Sequence, residues 1–446
     1  FILALLLWAF LPSVAGSVEA KTIRRSEDPV MIEGGKLKEL LGLKIQNLRL
    51  FALKDGNFAP IPFQVDERCQ DGSYVLEHII EGARGKARTE DEDKGLLDLN
   101  DEMWFMVKDL GDRAPKSLWR EGYGKGMEVV VTDPVDGGKG YAYLLYFDNP
   151  PPLANIDYVN LKKEKDRVTV TTPSYILGRP LGRNYYDYFA PILEGGKVGP
   201  DLLDRLEKIR GVCKVRVIGS SVPLVFDDIG KLEAIGWKDG AVRAIWRESS
   251  YTDFVVIKLH AETISESFFY YNSFTRPIVI KWPIDATVFL SSIDLYGATD
   301  FTPAVYGSTV YCPVNTHGTL LDGKMSEAEK SLPKDVDRGW VLGIHPDMGT
   351  IFHRLLFPEL WLKHIKRAAL IVDDENINNT PEDNPGSVLV GYQFVGNFAL
   401  AFTKGEHVYS EYYYFLPKGG FRWGEQEKIL NILDRPVKAE VNKGVE

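Results

Sequence analysis

Apolar and polar positions alternate along this chain in short runs, broken by Gly, Pro, Asn and Asp. The two-residue period of a strand recurs far more often than the helical one. Residues 48–53 run into Lys54-Asp55-Gly56-Asn57, and residues 58–65 follow. An Asp-Gly between two such runs predicts a hairpin, because its turn needs positive φ. Pro60 and Pro62 place the second arm at a sheet edge or a strand start. Residues 127–132 and 141–147 predict another hairpin, and residues 231–238 and 241–248 flank Asp239-Gly240 and predict a third. In residues 212–218, Cys213, Val215 and Val217 share one face while Lys214 and Arg216 take the other, the pattern of a half-buried strand. Further strands are expected at 167–172, 254–259, 278–281, 388–394, 398–402 and 411–415. Residues 82–93 read as a solvated loop.

Helical patterns are few. Residues 200–210 carry an early Pro, apolar Leu202, Leu203, Leu206 and Ile209, late basic residues and Gly211 as a stop, and predict a helix. Ser326 with Glu329 makes a capping box before a short helix. Residues 424–433 predict a last helix, halted by Pro436. The class is mainly β, antiparallel β-sandwiches with a few satellite helices. Asn149-Pro150-Pro151-Pro152 is the clearest boundary, since consecutive prolines cannot join a sheet interior. A small β-sandwich domain over 22–148 and a larger one over 153–446 are expected on either side.

The amino terminus opens with eleven uncharged apolar residues, then small residues through Ala20. That run falls short of the roughly 20 residues a membrane span needs and fits the apolar core of a signal peptide. Residues 1–20 are therefore read as a signal peptide truncated at its start; an uncleaved anchor helix is the alternative. Signal removal would leave no integral membrane span, and the protein is expected in the periplasm or outside the cell. The 446 residues are 44% hydrophobic and 26% charged, globular values. The 53 basic and 63 acidic residues leave a net charge of −10 with no basic stripe, so nucleic acid is excluded as a partner. Cys69, Cys213 and Cys312 lie far apart and form no Cys-x-x-Cys motif, which argues against haem attachment or a zinc knuckle.

The candidate chemistry is sparse. Arg243 and Arg247 fall on one face of a predicted strand, either side of Ile245. Two guanidiniums there could grip a carboxylate such as that of a uronic acid, or could form structural ion pairs. His317 and His345 sit in turn-like segments and are the candidate acid–base groups, though an idle surface histidine reads the same way. Acidic runs at Asp66-Glu67, 98–102 and 373–376 onward to Asp383 could hold calcium, or could simply be solvated. Tyrosine-rich runs at 185–186, 268–271 and 412–414 could stack on sugar rings or pack a core. No phosphate loop and no Gly-x-Ser-x-Gly elbow is present.

Residues 61–67 (Ile-Pro-Phe-Gln-Val-Asp-Glu), Asn100-Asp101-Glu102 before Trp104-Phe105-Met106, residues 241–248, and Tyr271-Asn272 through Pro277 resemble blocks of uncharacterised exported bacterial β-sandwich proteins. Some proteins with this pattern are similar to mutarotase-like supersandwich domains that handle carbohydrates. The resemblance implies a fold and transfers no catalytic residue. The functional expectation is an exported protein that binds or processes a glycan, with Arg243, Arg247 and Tyr271 holding the sugar. The alternative is a non-enzymatic envelope scaffold that docks a protein partner.

Overall fold

A computed structural model describes residues 18–80, 91, 93–216, 219–225, 231–254, 259–332, 339–376 and 384–443. It is mainly β: its strands form five antiparallel sheets, with four short α-helices among the described residues. The three expected hairpins form. Leu48–Lys54 pairs with Asn57–Pro60 across Asp55 (φ 50°) and Gly56 (φ 75°), the positive-φ pair that the Asp-Gly signal requires. Lys125–Thr132 pairs with Lys139–Tyr146, and Lys231–Asp239 with Arg243–Phe254. The capping-box helix forms at Glu327–Lys330 and the last helix at Gln426–Asp434. The expected strand at 254–259 and the loop at 82–93 lie mostly outside the described residues, as does most of the segment read as a signal peptide.

Residues 29–146 supply all three strands of one small sheet and four strands of a five-stranded one, around a core that includes Leu50, Phe105, Val129 and Leu144. The far carboxy-terminal strand Lys438–Lys443 joins this unit as the edge partner of Lys125–Thr132. Residues 147–159, with their three prolines, carry no regular element.

The rest is organised by a ten-stranded sheet, which is covered on both faces. On one face, a five-stranded and a four-stranded sheet lie side by side, tied by hydrogen bonds from Leu202 N to Phe189 O and from Leu206 N to Tyr186 O, each 2.8 Å. Trp246, Phe269, Phe274, Tyr413 and Phe415 fill the space between these layers. On the other face, the helix Gln426–Asp434 packs Ile429, Leu430 and Ile432 on Leu342, Phe352 and Tyr414. The amino-terminal unit covers the far end of that face, through Tyr74, Leu76 and Trp104 against Ile245, Phe268 and Tyr270.

Two expectations are corrected. Residues 200–210 are not a helix: Leu203–Val215 is a strand between Ser221–Val225 and Leu290–Phe301. Its register slips between Leu203 and Arg205 and again before Lys208, and Glu207 has φ 65°. Those bulges spread the apolar residues at a spacing that imitates a helix, and cross-strand pairing overrides the helical propensity of Leu, Glu, Lys and Arg. Conversely, residues 398–402 are not a strand: Phe398–Ala401 is a helical turn capped by the Asn397 side chain. All three cysteines are buried and free.

Deleting residues 436–446 would strip Lys438–Lys443 from its partner and expose the strand Lys125–Thr132 as an edge. A melting temperature lowered by several degrees, with concentration-dependent association on gel filtration, is the expected outcome. Unchanged calorimetric melting would contradict it.

Candidate functional site

The sequence-predicted arginines belong to the joint between the amino-terminal unit and the ten-stranded sheet. Arg243 is 2% exposed. Its Nε donates to Asp66 Oδ2 at 2.7 Å, one terminal nitrogen to Glu102 Oε2 at 3.1 Å and the other to the Tyr270 hydroxyl at 3.2 Å. The Trp104 ring lies 3.8 Å beneath the guanidinium. Lys238 Nζ reaches the other Asp66 oxygen at 3.0 Å. Burial alone would raise the Asp66 carboxyl, but Arg243 and Lys238 together hold it below the usual carboxylate range. Gln64 completes the joint. Its Oε1 accepts from Val242 N and Arg243 N, both at 2.8 Å, and a Cβ on Gly240 would collide with its carboxamide. A sugar carboxylate reaching Arg243 would have to displace Asp66 or Glu102.

The other predicted residues are dispersed. Arg247, half-buried, pairs with Glu266 at 3.4 Å. Tyr271 has the Lys108 ammonium 3.3 Å above its ring, a second contact between the two units. His317 is exposed on the edge strand Asn315–Leu320. His345 Nδ1 accepts from Asp347 N at 3.1 Å and Met348 N at 3.2 Å, which makes it a turn-capping group. Of the tyrosine-rich runs, Tyr186, Phe268, Phe269, Tyr270, Tyr413 and Tyr414 are buried and pack the core. Among the acidic runs, Asp66 serves Arg243, and Asp373 accepts from the backbone of Asp322 and Gly323. Asp101 caps Arg68 N and Asp98 N, and burial pushes its carboxyl up to about 7. Carboxylate oxygens of Asp91, Asp93 and Asp98 converge within 4.8 Å, the one acidic grouping among the described residues with metal-like spacing. The segment 377–383 lies outside the described residues.

The concave site of the molecule lies elsewhere, between the ten-stranded and five-stranded sheets, where a cavity of about 390 Å³ opens. Small residues face one another across it: Ala261, Thr263 and Ser265 from one layer and Gly297 from the other, where a Cβ would point at Phe394 and Ile209. Layers about 10 Å apart need large residues to meet, and at these positions they are missing. Trp282, Phe289, Trp361, Phe357, Phe394 and Phe402 supply much of the apolar wall.

One part of the wall is polar. Arg276 and Glu411 face each other across adjacent strands. Arg276 is ion-paired with Glu207 and, at 3.2 Å, with Glu248. Glu248 is fully buried, is also ion-paired with Arg179 at 2.8 Å, and accepts from Trp246 Nε1 at 3.0 Å and the Ser265 hydroxyl at 2.9 Å. Two guanidiniums thus balance two carboxylates. Glu411 is left over, and burial pushes its carboxyl above the ordinary range against the opposing pull of Arg276. Glu411 Oε2, Arg276 Nε, Tyr392 Oη and His353 Nε2 are buried without a hydrogen-bond partner. His353 stacks on Tyr413 at 4.2 Å, lines both this cavity and a smaller one of about 70 Å³ beside His345, and is pushed by burial down to about 3.

Sequence reasoning missed this site because its polar residues are spread over separate strands. One signal was present: Ala261-x-Thr263-x-Ser265-x-Ser267, a two-residue period of small side chains on a strand whose neighbours are large.

No family model matches this chain, and no curated protein matches it. Slr1438 from Synechocystis sp. PCC 6803, known from a crystal structure, is similar at a TM-score of 0.32 and 12% identity, over 60% of this chain and 98% of that one. Likeness at that level carries no argument about fold or function.

Two outcomes follow from these geometries. Arg243→Leu removes the buried cation that Asp66 and Glu102 share, leaving Asp66 to Lys238 alone and Glu102 to Arg68 alone, and denaturant unfolding should show a loss of about 3 kcal/mol; a loss below about 1 kcal/mol would show that the joint holds without the pair. His353 has a depressed folded value, so its contribution is present above its ordinary 6.5 and is lost as pH falls toward about 3. Relative to His353→Phe, the native protein should therefore lose about 1.4 kcal/mol per pH unit through that window. Parallel stability curves would refute the buried neutral imidazole.

Proposed function

We propose that this protein is a binding protein that encloses a small, largely apolar ligand between its two β-layers. One observation carries the reading: a cavity of about 390 Å³ walled by aromatic and aliphatic side chains, with a few buried polar groups on one side. Small-molecule sites have this make-up, at about 300–1,000 Å³ with a few convergent polar groups. An exported location, periplasmic or extracellular, is part of the proposal, supported by the apolar run at residues 1–11. Kinship with mutarotase-like supersandwich proteins is likewise a proposal, supported by the layering of ten strands against four and five.

A thermal-shift series with straight-chain alcohols from octanol to hexadecanol tests the binding. A ligand held by the native state alone raises the melting temperature by mass action. The shift should grow with chain length until the cavity is full, then stop. Ala261→Leu with Gly297→Leu, placed on facing layers, should abolish the shift without lowering the melting temperature of the free protein. No shift with any chain, or a shift that the double variant keeps, would contradict the reading. Uronate oligosaccharides, the ligand class expected from the sequence, form the second arm. A shift with these that Arg247→Ala removes would favour the glycan.

A further inference from the structure

The polar side of the cavity carries information about the ligand's head group. Resting on the binding reading above, we propose that the ligand is an uncharged amphiphile whose hydroxyl-type head is held at Glu411 and Arg276. Charge balance is the first reason. Arg179 and Arg276 are matched by Glu207 and Glu248 inside the fold, which leaves no net charge to receive an ionic head. A carboxylate brought here would meet Glu207, Glu248 and Glu411 around Arg276; an ammonium would meet Arg276 and Arg179. Either would be stripped of water without a matched counter-ion, a strongly unfavourable transfer.

The second reason is the inventory of hydrogen-bonding groups without partners. Arg276 Nε–H can only donate, and Glu411, 7% exposed with Oε2 unpartnered, offers an acidic hydrogen and an acceptor oxygen in its neutral form. The Tyr392 hydroxyl and the neutral His353 ring can each take either part. A hydroxyl both donates and accepts, so it can serve donor and acceptor together; an alkane serves neither. Arg276 and Glu411 are held in place by their cross-strand pairing and by the Glu207 and Glu248 ion pairs. The head therefore meets groups that are already oriented.

Chains of one length and four ends test this at pH 6.0, where Glu411, pushed up to about 7, is protonated: an alkane, a primary alcohol, a carboxylate and a primary amine, read by calorimetry or thermal shift on the full chain. The alkane reports whether the cavity binds at all, independently of the head. The alcohol should bind about tenfold more tightly than the alkane, the worth of a satisfied hydrogen bond, and the carboxylate and amine no more tightly than the alkane. Glu411→Gln, which keeps the shape of the neutral acid, should retain the alcohol preference; Glu411→Leu should erase it while leaving alkane binding in place. Alkane binding with equal or weaker alcohol binding, or tighter binding of either ion, would overturn the head-group proposal and leave the cavity reading standing. Failure of every chain would overturn both.

Discussion

The constraint that organises this molecule is the covering of its central sheet. Ten antiparallel strands present two faces, and the apolar stretches of each must be shielded from water. The inner face takes the four- and five-stranded sheets. The outer face takes the last helix at one end and the amino-terminal unit at the other. The amino-terminal unit is thereby part of the core's cover, and the carboxy-terminal strand that returns to it ties the two ends of the chain together.

Buried charges sit on both faces of the same strands, with different consequences. On the strand Arg243–Phe254, Arg243 points outward to Asp66 and Glu102, while Glu248 points inward to Arg179 and Arg276. The outward set is closed: Asp66, Glu102, Tyr270, Lys238 and Gln64 saturate one another across the joint, and its role is register and docking. The inward set balances its two pairs and leaves Glu411 over, beside a space that side chains do not fill. The same alternation of side chains that builds the sheet therefore separates a closed, structural node from one that faces the cavity.

The sequence made the β class and its hairpins legible, and Asp55-Gly56 carries the positive-φ turn chemistry expected of it. At Asp239-Gly240, by contrast, neither residue has positive φ, the strands close across a longer loop, and Gly240 makes room for Gln64. Residues 200–210 were misread for a physical reason: two bulges and a left-handed Glu207 stretch the strand's period toward the helical one. The four blocks that suggested a family resemblance turn out to meet in space. Gln64 and Asp66, Glu102 and Trp104, and Arg243 form one joint, while Tyr271 contacts Lys108 beside it. The cavity was illegible, because Arg276, Glu411, Glu207 and Glu248 are brought together only by sheet register. The small-residue period from Ala261 to Ser267 becomes meaningful once the strand's inner face is known.

The most direct measurement is a crystal structure of the protein equilibrated with decanol. Continuous elongated density is expected between the layers, bounded by Trp282, Phe357 and Phe394, with its hydroxyl end beside Arg276 and Glu411. A space closed by side chains, or occupied by a cluster of ordered waters with no chain among them, would contradict a ligand-binding cavity.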